Sequence, residues 1–113
     1  MARTPTNFTH NNQLSTVAES LYSPSSSSES ATVRKLSFYN SNTTTNRTVT
    51  VYVVESSGTA DTGTTLAVRV IPPLKSWSCV EVQGEVISGS MSLQAKQDAG
   101  TDVNVNCSGT LVT

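Results

Sequence analysis

From residue 32 onward, apolar residues recur at every second position. In 32–40, Leu36 and Phe38 share one face, and Lys35, Ser37 and Tyr39 take the other. In 48–55, Val49, Val51 and Val53 alternate with Thr48, Thr50 and Tyr52. In 65–71, Leu66, Val68 and Val70 are expected inward and Arg69 outward, with Pro72-Pro73 as a stop, because proline donates nothing to a ladder. Residues 77–82 and 85–87 read as further strands broken at Gly84, and Ser88-Gly89 as a turn. Met91, Leu93 and Ala95 share a face in 91–97. Residues 98–101 read as a hairpin connection. In 103–113, Val103, Val105, Cys107 and Leu111 point inward, and Asn104, Asn106 and Ser108 outward. Period two means strands with one face on a core. Six or seven short strands, with polar clusters at 40–46 and 56–63 between them, predict an all-β fold. The expected form is a single β-sandwich, immunoglobulin-like or jelly-roll-like, with six to eight antiparallel strands.

The first third of the chain breaks this rhythm. Residues 1–13 are polar, with Phe8 as the large apolar exception, and are expected to form an extended N-terminal arm. The domain proper is expected at 14–113, with a Ser-rich loop at 23–31. In LSTVAESLY (14–22), Leu14, Val17, Ala18 and Leu21 fit helical spacing, and Val17, Glu19 and Leu21 fit a strand less well. The residues alone favour a short helix there.

Composition narrows the function. Ser and Thr fill 35 of 113 positions, charged residues are 13%, and the formal net charge is -1. With seven Lys and Arg and no basic block, no nucleic-acid partner is expected, since phosphate neutralisation needs clustered cations. The longest apolar run is four residues, Val51 to Val54, so no membrane-crossing helix is expected. No apolar leader is visible at the N-terminus. A core of roughly 80 residues is only marginally stable alone, so association is a natural supplement.

The reactive residues are few. His10, the single histidine, falls in the arm and supports neither a triad nor a closed metal site. Cys79 and Cys107 are 28 positions apart and read as two buried thiols, with an inter-strand disulfide as the alternative. Glu81 and Glu85 flank Gly84 and read as solvated edge charges. Asp98 and Asp102 bracket a turn, too few oxygens for calcium. The sequons at Asn7, Asn42, Asn46 and Asn106 follow from composition. No enzyme, cofactor or metal is expected.

Several short motifs occur in a suggestive order: Leu21-Tyr22, a Ser-rich loop, a strand ending at Asn40, the Val/Thr strand 49–54, Ile71-Pro72, Gly84, SLQA at 92–95 and VNVNCSG at 103–109. This order, over about residues 17–113, resembles small virion proteins of tailed bacteriophages. The resemblance implies a β-sandwich whose first strand includes Leu21-Tyr22, and so favours strand over helix there. It also implies a non-enzymatic structural role, foremost a capsid decoration or cement protein on the outside of a phage head. The expected partner is the major capsid protein, the expected form a homo-oligomer with a trimer favoured, and the location the virion, assembled in the host cytoplasm. Phe8, Leu14, Val17 and Leu21 are the candidate arm anchors, and Tyr39 and Tyr52 the candidate inter-subunit contacts. The alternatives are a tail, neck or fibre-base component, and, with less support, a receptor- or carbohydrate-binding sandwich.

Overall fold

The computed structural model describes residues 2–55 and 58–113. Met1 and the first two residues of the expected loop at 56–63, Ser56 and Ser57, lie outside the described residues. The strands are β1 (Arg3–Gln13), β2 (Glu19–Tyr22), β3 (Ser30–Asn40), β4 (Arg47–Val54), β5 (Thr65–Ile71), β6 (Ser76–Ser78), β7 (Val86–Ser88), β8 (Ser92–Gln97) and β9 (Val103–Val112). A 3-10 turn, Val80–Val82, separates β6 from β7.

Two antiparallel sheets pack face to face. One has the order β1-β9-β3-β6, with β7 also paired to β3; the other has the order β2-β8-β4-β5. The pairs are nested: β4 with β5, β3 with β6 and β7, β2 with β8, and β1 with β9. The chain is thus one long hairpin rolled on itself, and rolling brings β9 against β3 and β8 against β4. That nesting is the jelly roll, and it decides between the two expected sandwich types. It also corrects one expectation. Residues 98–101 join strands of different sheets, so they form a crossover and not a hairpin.

The segment expected as an arm is extended, and its place is in the sheet. β1 runs antiparallel along β9 from Arg3 opposite Val112 to Gln13 opposite Asn104. Thr9 is buried there, and its Oγ1 donates to the Leu21 carbonyl at 3.0 Å. Phe8 stacks obliquely on Tyr22, with ring centroids 4.5 Å apart. These contacts tie the edge of one sheet to the edge of the other. Residues 19–22 are strand, not helix, because β8 offers Ala95, Gln94 and Leu93 as ladder partners.

The core lies between the sheets. Phe38 stacks on Trp77 at 5.4 Å, among Leu36, Val49, Val51, Ile71, Leu93, Val103 and Val105. Val49, Val51 and Val53 face Gln97, Ala95 and Leu93 on the inner side, as the alternation predicts. Bulges shift the pattern elsewhere. In β3, the register slips between Val33 and Lys35, so burial runs through Ala31 and Val33 and resumes at Leu36, Phe38 and Asn40. In the β4–β5 ladder, Val51 pairs Ala67 but Tyr52 pairs Thr65, leaving Leu66 as the extra residue. Ala67 and Ile71 then point inward, while Val68 and Val70, expected inward, face solvent. The expected strand 77–82 ends at Ser78, and the 3-10 excursion passes opposite the β3 bulge. Cys79 N–H donates to Leu36 before it, and Gly84 N–H to Val33 after it.

Candidate interaction surface

Most of the exposed apolar side chains belong to elements along one margin of the sandwich. Seven large ones are exposed among the described residues: Val17, Tyr39, Val68, Val70, Leu74, Val80 and Val86. Five of them fall between β5 and β7, and Tyr39 sits beside β6 through its pairing with Ser76. β5 is the outer strand of its sheet, and β6 and β7 are the margin of the other. β5 also contacts β6 and the 3-10 turn, so these elements form one side of the sandwich. Val68 and Val70 stand on the outer face of one sheet and Tyr39 and Val86 on that of the other, and exposed apolar side chains along a sheet margin mark an interaction surface.

A strained turn helps to build this flank. Leu74 has φ +57, the left-handed region that an L side chain avoids, and is half exposed. Buried Asn40 holds the turn. Its backbone exchanges hydrogen bonds with Leu74 and Lys75, and its Nδ2 donates to the Ile71 and Thr45 carbonyls at 2.9 and 3.0 Å. An apolar side chain kept in a costly conformation and offered to solvent points to use at that position.

The same end of the molecule carries a charged clamp. Arg47 Nε and Nη2 donate to Asp102 Oδ1 and Oδ2 at 2.8 and 3.1 Å, and Asn42 Nδ2 donates to Asp102 at 2.7 Å. Arg47 is the main cause of the Asp102 carboxyl falling from 3.8 to about 2, although desolvation opposes it. Asp98 Oδ1 accepts from Thr48 N–H at 3.0 Å. These two carboxylates fasten the crossover 98–102 to β4 and do not face each other around an open site. Near the other end, Glu29 accepts from Ser25 N–H, Ser25 Oγ and Tyr22 Oη, which orders part of the Ser-rich loop. Those bonds, from Ser25 first, lower the Glu29 pKa, while burial and Glu29 raise that of Tyr22.

The six sequence candidates separate by environment. Leu14 and Leu21 are spent in the core, and Phe8 is half-buried against it. Tyr52 faces outward opposite Gln94, as expected, yet is only 5% exposed. It floors a cleft bounded by residues 16–18 and 58–60. Val17 and Tyr39 are exposed, Val17 beside that cleft and Tyr39 on the apolar flank. Val68, Val70, Leu74, Val80 and Val86 were not among the candidates. The signal available was β5 itself, which has apolar residues in both alternation phases.

The two cysteines are free and buried. Cys107 is opposite Leu36 in β3, and Cys79 N–H bonds to the same Leu36 from the other side. One strand therefore separates them, about 9–10 Å at normal strand spacing, beyond disulfide reach. Burial is the main cause that pushes the Cys79 thiol up to about 11 and the Cys107 thiol up to about 12. Glu81 and Glu85 belong to the 3-10 excursion, where Glu81 lies 3.9 Å from the Cys79 sulfur. No group of three or more His, Cys, Asp or Glu comes together among the described residues.

No family model and no curated protein sequence matches this chain. Among solved structures it is similar to a chain from Bacillus endospore appendages, described as a novel family of disulfide-linked pili. The identity is 13%, the match covers 99% of this chain and 88% of that one, and the TM-score is 0.52. What the two share is a fold. A weaker likeness, to the VP2 subviral particle of infectious bursal disease virus, has 15% identity and a TM-score of 0.36 over 97% of this chain and 31% of that one, and carries no argument.

Proposed function

We propose that this chain is a non-enzymatic structural subunit that works by docking through its β5–β7 flank. Its specific role is that of a capsid decoration protein on the outside of a phage head, bridging neighbouring capsomers as a trimer. The observation that carries the reading is the apolar flank with Leu74 held out on a strained turn. The order of motifs, which resembles that of small virion proteins of tailed phages, supports a virion setting with the major capsid protein as partner.

A filament subunit is the second reading. The observation favouring it is the fold shared, over nearly the whole chain, with the endospore-appendage protein. A filament of this chain would be held without disulfides from the folded state, because both thiols are buried.

The test is the variant Val68→Thr/Val70→Thr/Leu74→Asn. Thr keeps the β-branch that a strand favours, and Asn tolerates the left-handed region better than Leu. The isolated domain should be as stable as wild type. Occupancy on expanded heads, read by cryo-EM, should fall at least about tenfold, the effect of losing about 1.4 kcal/mol of contact. Light scattering should give three times 11.9 kDa for the wild-type protein. Unchanged occupancy with the triple variant would remove the flank from the mechanism, and self-assembled fibres at any concentration would favour the filament.

A further inference from the structure

We propose that the outer face of the five-stranded sheet is a docking trough for an acidic polysaccharide, independent of the apolar flank. The trough lies where two bulges meet across β9. On one side, β1 slips register between Asn7 and Thr9; on the other, β3 slips between Val33 and Lys35. Asn7 and Lys35 both pair with Ser108, so the irregularities fall on either side of Ser108, one before it and one after it in β9. A bulge re-aims side chains. Here it turns two consecutive cations, Arg34 and Lys35, to the solvent side.

Two hollows open at this place and share Asn7 and Ser108. The larger, about 410 Å³, has Arg34 and Thr110 in its wall; the smaller, about 200 Å³, has Lys35, His10 and Asn106. Neither wall contains an acid. The five strands of this sheet contain no Asp or Glu at all. Among the described residues, neither Arg34 nor Lys35 is engaged in an ion pair, which here joins Arg47 to Asp102. Glu29 and Asp102, at strand ends, are occupied by Tyr22 and Ser25 and by Arg47 and Asn42, and Glu81 and Glu85, in the excursion on the β6–β7 side of the β3 bulge, line neither hollow.

The charge therefore selects an anion, and the remaining chemistry selects its carrier. The walls are hydroxyls and amides, each able to donate and accept, which matches the hydroxyls of a sugar. They lack the apolar sockets that fix peptide side chains and the aromatic platforms on which nucleic-acid bases stack. A glycan bearing carboxylate or sulfate groups satisfies both the Arg34–Lys35 pair and the hydroxyl lining.

The experiment titrates the full-length protein with heparin and with polygalacturonate, alongside neutral dextran, poly-glutamate and single-stranded DNA. Binding is followed by calorimetry, and amide chemical shifts map the site. At low salt, Arg34→Ala/Lys35→Ala should weaken binding of the acidic glycans about tenfold or more, with a shallower salt dependence. Arg69→Ala/Lys75→Ala, on the opposite flank, should change it less than about twofold. Thermal melts confirm that both variants fold, as exposed positions should allow. Shifts should centre on Asn7, Ser108 and Lys35. Equal losses in the two variants, shifts elsewhere, or no binding to either acidic glycan would overturn the proposal. So would poly-glutamate or DNA binding as tightly as the glycans. Occupancy on heads is a separate readout, so this proposal and the assembly reading can fail independently.

Discussion

Gly109 is the position where a single methyl group tests the geometry most directly. It sits in β9, paired to Thr6 on one side and Val33 on the other. A Cβ there would overlap the Thr32 carbonyl oxygen and lie 3.1 Å from the Phe8 ring. The oxygen belongs to a strand paired on both sides, so it cannot swing away as a long side chain would. Relief requires β9 to separate from β3, or Phe8 to leave Tyr22. Overpacking of this kind costs about 1–3 kcal/mol or more, and both ladders share the displacement here, so the upper end applies. Against that, alanine loses less chain entropy on folding, worth about 0.4–1 kcal/mol. The net loss for Gly109→Ala is about 2–3 kcal/mol, or about 8–12 °C in Tm for a domain of this size. Gly84→Ala is the control. Gly84 has φ +87 but open space around it, so its cost is backbone strain alone, about 1–2 kcal/mol. Circular-dichroism melts of both variants decide the matter. A Gly109→Ala melt within about 2 °C of wild type, or a larger fall for Gly84→Ala, would refute the double-bulge packing.

Acid sensitivity should trace to Asp102. Its folded pKa, about 2, lies below the ordinary 3.8, so its contribution is complete above that ordinary value and is lost as pH falls toward 2. Asp102→Asn should therefore melt lower than wild type at pH 7, with the gap closing by about pH 2; a gap that stays constant with pH would contradict this. Both thiols should resist a thiol reagent in the native protein, since burial keeps Cys79 near 11 and Cys107 near 12, and both should react at once in guanidinium. Rapid labelling of either in the folded state would mean that β3, β6 or β9 opens locally.

Alternation and turn chemistry by themselves determined that this chain is a β-sandwich, and placed most strands to within a few residues. They determined the inner faces of β8, of β9 through Cys107 and of β4 at Val49 and Val51, because apolar residues there occupy a single phase, whereas Tyr52 and Val54 are buried in the other phase of β4. Where that signal was absent, tertiary pairing decided. Residues 3–13 carry almost no apolar pattern, and they are a strand because β9 offers a free edge and Thr9 and Phe8 reach across to Leu21 and Tyr22. Apolar residues fill both phases of β5, and only its register with β4 sends Val68 and Val70 outward to make the flank. Tyr52 stands on the outer face opposite Gln94, yet it is buried at a cleft lined by residues 16–18 and 58–60, which the pattern of its own strand does not reveal. The two bulges around Ser108 are equally silent in composition. A bulge is a slip between strands, so it exists only once both strands are paired, and with it come the paired cations of the trough and the need for glycine at 109. Period two is a property of one strand and can be read along the chain; register, nesting and coverage are relations between strands, and only the folded arrangement sets them.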